Sequence, residues 1–169
     1  MPPDITERSC STTAPPGLPG KWTGVEAKLV ASNAKVSEFL STLDQKLAPL
    51  SLDEDTLGSV QIVFGEVLNN IVEHAYNDAG CGDIVLCIGR EADRIVVQVE
   101  DFGRAMPNGE LPEKRQADLD VDIQLLPEGG FGWFLIHELV ENLTYTRRDN
   151  RNLVSFEMCL VGNPQDEVA

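Results

Sequence analysis

The chain is poor in cations. Lysine and arginine number 13 against 28 aspartates and glutamates in 169 residues, for a formal net charge of −15. That balance argues against nucleic-acid binding, which draws most of its affinity from cationic side chains on phosphates. It suits a basic protein partner instead. Histidine is nearly absent, with His74 and His137 the only two, and Cys10, Cys81, Cys87 and Cys159 show no CxxC spacing. A zinc site is therefore not expected, and the cysteines read as reduced thiols. No apolar run approaches the ~20 residues of a membrane span, and Met1 to Ser9 lacks the apolar core of a signal peptide. The expectation is a cytoplasmic chain with no membrane partner.

What is present is enough for one core. Hydrophobic residues make up 42% and charged residues 24% of the chain, the balance of a globular domain. Residues 1–21 are rich in Pro, Ser, Thr and Gly and read as a disordered tail, residues 22–162 as a single domain, and 163–169 as a second tail. Val25 to Ala31 reads as a first strand. Asn33 can cap a helix whose apolar positions Val36, Leu40, Leu43, Leu47 and Leu50 recur every three or four residues. Ser51 or Asp53 can cap a longer helix reaching Tyr76, after which Gly80 and Gly82 break the chain. Asp83–Ile88 and Arg94–Val99 read as a hairpin turning near Glu91 to Asp93. Residues 103–128 have prolines, acids and no sustained period, the mark of a functional lid. Phe131–Leu139 is helical in pattern, and Leu143–Arg147 and Leu153–Leu160 close the chain as strands. This order predicts an α+β two-layer sandwich, a mixed, mostly antiparallel sheet covered on one face by about three helices.

Three segments stand out, each weak alone. On a helix turning ~100° per residue, Glu66, Asn70 and His74 fall along one strip beside an apolar face of Val60, Phe64, Val67, Ile71 and Ala75. Asn70 lies nearer that face than Asn69 and should border a cavity, where its amide oxygen can ligate Mg²⁺ while Glu66 serves as a base. Asp101 ends a strand, and Gly103 follows two residues later. A half-buried carboxylate there can accept from an exocyclic amine, and a glycine lets a flat ring approach the backbone. Gly129, Gly130 and Gly132 stand where the last helix begins, where free N–H groups admit phosphate. Arg104, Lys114 and Arg115 in the lid are either charge-neutralising groups for a polyphosphate or ordinary solvated charges. Asp101-Phe102-Gly103 also matches a kinase metal-binding triplet, but no His-Arg-Asp loop or Gly-rich nucleotide loop precedes it. His137-Glu138 begins a zinc-protease motif whose second ligand position, 141, is glutamate.

The order Glu66-x-x-x-Asn70-x-x-x-His74-Ala75-Tyr76, then Asp101-x-Gly103, then Gly129-Gly130-Phe131-Gly132 resembles the GHKL (Bergerat-fold) ATPases. Within them it is similar to the anti-sigma-factor serine kinases of RsbW/SpoIIAB type, with coverage from about Thr23 to Leu160. The resemblance implies an ATP- and Mg²⁺-binding sandwich that phosphorylates a serine on a STAS-type anti-sigma-factor antagonist and sequesters a sigma factor, as a homodimer. It implies Glu66 as catalytic base, Asn70 as Mg²⁺ ligand and Asp101 as the adenine contact. Gly103 would flank the adenine, and Gly130 and Gly132 would cradle phosphate, with His74 in a supporting role at the pocket edge. Two positions depart from the pattern. A further glycine of the superfamily is Ala105 here, and the closing-strand threonine near adenine is replaced by Asn152 or Ser155. A non-catalytic switch, in which ATP orders the lid and tunes protein binding, is the alternative reading of the same residues.

Overall fold

The computed structural model describes residues 23–113 and 130–160. The two expected tails, most of the 103–128 lid with Lys114 and Arg115, and Gly129 lie outside the described residues.

The described chain runs β1 (Thr23–Val30), α1 (Asn33–Ser41), α2 (Leu43–Leu47), α3 (Glu54–Asn70), β2 (Asp83–Glu91), β3 (Arg94–Asp101), α4 (Gly130–Leu139), β4 (Glu141–Arg148) and β5 (Arg151–Cys159). The strands form one sheet in the order β1-β2-β3-β5-β4. Every described pairing is antiparallel, where a mixed, mostly antiparallel sheet was expected: β2–β3 and β4–β5 are hairpins, β1 reaches β2 through the helices α1–α3, and β3 reaches β5 through α4 and β4. The β2–β3 turn falls at Ala92 and Asp93, and β4 returns to β5 through Asp149 and Asn150, both at positive φ as a tight hairpin turn requires.

Alternation builds the sheet's inner face. Ile84, Leu86 and Ile88 of β2, Ile95, Val97 and Val99 of β3, and Val154, Phe156 and Met158 of β5 are all buried. The helices cover that face. α3 buries Val60, Val63, Phe64, Val67 and Leu68, and it packs on α1 and α4. Its start is fixed by Asp53, whose carboxylate accepts from the Thr56 N–H at 2.8 Å. Ser32 caps α1 in place of the expected Asn33, accepting from the Lys35 N–H. The apolar stripe Val36–Leu50 does line the core, but it is broken at Thr42, whose hydroxyl turns back onto the carbonyls of Glu38 and Phe39, and it ends beyond α2 in a 3-10 turn, Ala48–Leu50.

Phe64 joins the layers. Its ring stacks on Phe39 of α1 at 6.4 Å and meets Phe156 of β5 edge-on at 6.5 Å. Beyond Asn70 the helix widens into one π turn, Ile71–Ala75, closed by the Tyr76 N–H on the Ile71 carbonyl at 3.1 Å. Phe64→Ala should lower unfolding free energy by about 3–5 kcal/mol, read as a reduced urea midpoint at unchanged m value.

Candidate functional site

Strand parity places Asp101 before any chemistry is considered. It follows Ile95, Val97 and Val99 with a period of two, so it extends a core row and is only 3% exposed. Asn152 extends the facing row of β5 in the same way, is also 3% exposed, and is the register partner of Asp101. The Asn152 amide donates to Asp101 Oδ1 at 2.8 Å, and the Gly103 N–H donates to the same oxygen at 2.8 Å. Asp101 Oδ2 takes no hydrogen bond from the described residues. Of the two closing-strand candidates, Asn152 is thus the one at the site. Ser155 sits on the other face of β5, one step off the buried Val154 and Phe156.

Gly103 is required where it stands. A Cβ there would lie 2.6 Å from the Ala75 carbonyl oxygen and 2.7 Å from the Ala75 Cβ. The next N–H, of Arg104, donates to that same carbonyl at 2.9 Å. Tyr76 fastens the neighbourhood, its hydroxyl donating to the Asp83 carbonyl and accepting from the Phe102 N–H, each at 2.9 Å.

Between α3, β3, β5 and α4 lies a cleft of about 720 Å³. Asn70, His74, Asp101, Arg104 and Asn152 all line it, together with apolar groups such as Val67, Ile71, Met106 and Trp133. Asn70 does border the cavity and Asn69 does face solvent. The Asn70 Nδ2 donates back to the Glu66 carbonyl at 2.7 Å, which leaves its Oδ1 unengaged among the described residues. Arg104 reaches Asn77 Oδ1 at 3.1 Å. Glu66 does not line the cleft itself but stands beside it, half-buried, next to Asn70. Gly130 opens α4, and Gly132 lies directly over Glu66. A Cβ on Gly132 would overlap the Glu66 carboxylate oxygen Oε2 and come within 3.8 Å of Asn70 Nδ2. The structure therefore brings Glu66, Asn70, Gly132, Asp101, Gly103 and His74 into one neighbourhood, whereas Gly129 lies outside the described residues.

Tyr145 and Arg147 were not singled out from sequence. Both share the Asn152 side of β4: the Tyr145 hydroxyl donates to Asn152 Oδ1 at 2.7 Å and accepts from the Met106 N–H at 3.1 Å. Arg147 Nη1 donates to the Gly103 carbonyl at 3.0 Å and also to Asn152 Oδ1. The available signal was the two-residue step Leu143-Tyr145-Arg147, which sets polar groups on an inward face.

Burial pushes the Asp101 carboxyl above its ordinary value, opposed by the Asn152 and Gly103 donors and the nearby Arg147 charge. Between the ordinary value of 3.8 and the raised one, the folded chain binds more protons than the unfolded chain. Asp101 therefore makes stability fall as pH rises through that window. Asp101→Asn keeps an oxygen for Gly103 and Asn152 and removes this contribution. The unfolding free energy of wild type minus that of Asp101→Asn should decline on raising pH from about 3.5 and flatten above the folded value; urea titrations check it, and a rising difference reverses the sign.

Comparison with known proteins agrees with this geometry. The family model described as a histidine kinase-like ATPase domain matches residues 29–158. The serine-protein kinase RsbW of Bacillus mycoides (strain KBAB4) is 27% identical over 124 residues, covering 73% of this chain and 77% of the relative. The protein of the same name from Bacillus cereus (strain ATCC 10987 / NRS 248) is 28% identical over 120 residues, covering 70% and 74%. Among solved structures, that of the RsbU and RsbW domains of Rv1364c from Mycobacterium tuberculosis aligns with a TM-score of 0.55 at 17% identity. It covers 81% of this chain and 32% of the longer one, a likeness of fold. With the match spanning both the sheet and the cleft, the chain belongs to the histidine kinase-like ATPase family.

Proposed function

We propose that this chain is an ATP-dependent serine protein kinase that phosphorylates a STAS-type anti-sigma-factor antagonist and holds a sigma factor inactive. The observation that carries the reading is the meeting of Glu66 and Asn70 beneath Gly132, beside the cleft that Asp101 lines. The relatives named as serine-protein kinases support the same class.

The residues present suit a magnesium nucleotide. Asp101 Oδ2 is a buried acceptor without a partner among the described residues, and Gly103 leaves no room for a side chain over Ala75. Asn70 Oδ1 is a neutral oxygen donor held at the cleft by its own amide group. Bound Mg-ATP would supply the transferable phosphoryl group and neutralise its developing charge. Asp101 would accept from the 6-amino group of the base, and Asn70 would ligate the metal. Gly129, Gly130 and Gly132 would border the phosphates, with His74 and Arg104 at the cleft edge. Glu66 would take the proton of the attacking serine hydroxyl, a role that positioning and charge placement leave as nearly the only proton transfer required. Cytoplasmic residence and a homodimeric state complete the reading by family likeness.

The competing reading is a binding switch in which ATP alters protein affinity and no phosphate moves. A carboxylate at position 66, beneath Gly132 and one helical turn from the metal-ligand candidate, favours catalysis. Incubation with Mg-ATP and a STAS-type antagonist should yield phosphoserine. Glu66→Gln should lower that transfer at least about 100-fold with Mg-ATP affinity retained. Transfer by Glu66→Gln at the wild-type rate removes the assigned role, and nucleotide-dependent partner binding without any phosphoserine establishes the switch. Independently, Mg-ATP at 100 times its Kd should stabilise the fold by about 2.7 kcal/mol, and an unmoved melting temperature rules out a nucleotide site.

A further inference from the structure

We propose that His137 is a positioning residue for the nucleotide. Its ring ties the stretch 107–113 to α4 and so holds one wall of the cleft in place before the ligand arrives. This rests on the reading of the cleft as a nucleotide site.

His137 completes no metal motif, but its place on α4 gives it a definite partner. It stands one helical turn beyond Trp133, which lines the cleft, and the two rings lie 6.4 Å apart at 48°. Its Nε2 meets the Pro112 carbonyl at 2.9 Å. A carbonyl only accepts, so Nε2 carries the hydrogen, as it does in both the Nε2–H tautomer and the imidazolium. The neighbouring Ile136 is fully buried in the core, which makes α4 a fixed anchor.

Pro112 is the far end of a stretch that is otherwise loosely held. Met106, Pro107, Pro112 and Glu113 all line the cleft. The near end is fastened, with the Arg104 N–H on the Ala75 carbonyl at 2.9 Å and the Met106 N–H on the Tyr145 hydroxyl at 3.1 Å. Beyond Met106 the chain bonds to itself. The Gly109 N–H donates to the Met106 carbonyl at 2.9 Å and the Glu110 N–H to the Pro107 carbonyl at 3.3 Å. Residues 107–110 are exposed, and Pro107 and Pro112 bring no N–H. Among the described residues, the His137–Pro112 bond is the one hydrogen bond that carries 107–113 to another element.

The same helix sets Gly132 over Glu66, so the tie joins a wall of the cleft to the helix that covers the reacting carboxylate. A wall already in place need not be ordered when the ligand binds. A free one must be, and the apparent affinity falls with the fraction of time it is in place. Glu66 and Asn70 are held by α3 and not by this tie, so the transfer step is unchanged once the cleft is filled.

The test measures Mg-ATP affinity by calorimetric titration, and phosphoserine formation on a STAS-type antagonist over a range of ATP concentrations. Wild type, His137→Leu and His137→Gln are compared, with the melting temperature of each free protein recorded. His137→Leu removes the donor and should raise the Kd and KM for Mg-ATP about fivefold, the worth of one ordinary hydrogen bond, at unchanged kcat. His137→Gln, whose amide nitrogen can replace Nε2, should return the Kd to within about twofold of wild type. A merely structural role would lower the melting temperature of His137→Leu and leave its Kd at the wild-type value, which overturns the proposal. A His137→Gln as weak as His137→Leu, or a fall in kcat in place of a rise in KM, overturns it as well. Should His137→Leu fail to fold, His137→Phe, a ring without a donor, decides by the same Kd. Unaltered Kd in the variants spares the nucleotide site, whereas a wild type that binds no Mg-ATP overturns both readings.

Discussion

A carboxylate in a hydrophobic row must be hydrogen-bonded or it will not stay charged there, and that constraint organises the end of the sheet. Asp101 continues the row of Ile95, Val97 and Val99, and the facing row of Val154, Phe156 and Met158 ends in Asn152. The pair is held by a hydrogen bond between residues 51 positions apart. Around it, Tyr145, Arg147, the Gly103 N–H and the Arg104 carbonyl are each engaged. The first residues of the 103–128 segment are thereby pinned to the β4–β5 hairpin. Polar groups here are costly to leave half-satisfied, so the network also fixes where the cleft wall stands.

The opposite wall depends on close contact as well as on hydrogen bonds. Two glycines allow two close approaches: Gly103 onto the Ala75 carbonyl, and Gly132 onto the Glu66 carboxylate. Each joins a loop or helix end to the C-terminal half of α3 and its π turn. The helix ends with that turn, so the Ala75 carbonyl has no donor from its own helix and accepts from the Arg104 N–H. The helix irregularity, the side-chain-free positions and the buried acid are three parts of one arrangement. An overall charge of −15 has little to do with it. Screening confines exposed charges to about 8 Å at physiological salt, and the groups that matter here are direct neighbours.

Helical and strand periods were legible in the chain because they require only local geometry. The one-turn spacing of Glu66, Asn70 and His74, the alternation that marks β2, β3 and β5, and the solvent-facing position of Asn69 all follow from angles per residue. So did the candidacy of Asp101 and Gly103. The helix break at Thr42 was not legible, since the hydrophobic stripe runs unbroken through it and a hydroxyl bonding back to Glu38 and Phe39 has no periodic signature. The parallel component expected in the sheet does not occur among the described strands. Strand direction depends on how the chain returns, which composition does not encode.

Spacing along the chain was therefore sufficient for element types, for the α+β class and for naming the acid, the amide and the glycines as candidates. It could not say that Asn152, and not Ser155, meets Asp101. Nor could it show that Tyr145 and Arg147 hold Asn152, or that Gly132 makes room for Glu66. Those are relations between strands and helices far apart in sequence, set by register across β3, β5 and β4 and by the packing of α4 on α3. Such relations come into existence only when hydrophobic rows close against one another, because burial aligns the ends of those rows and brings their polar residues face to face.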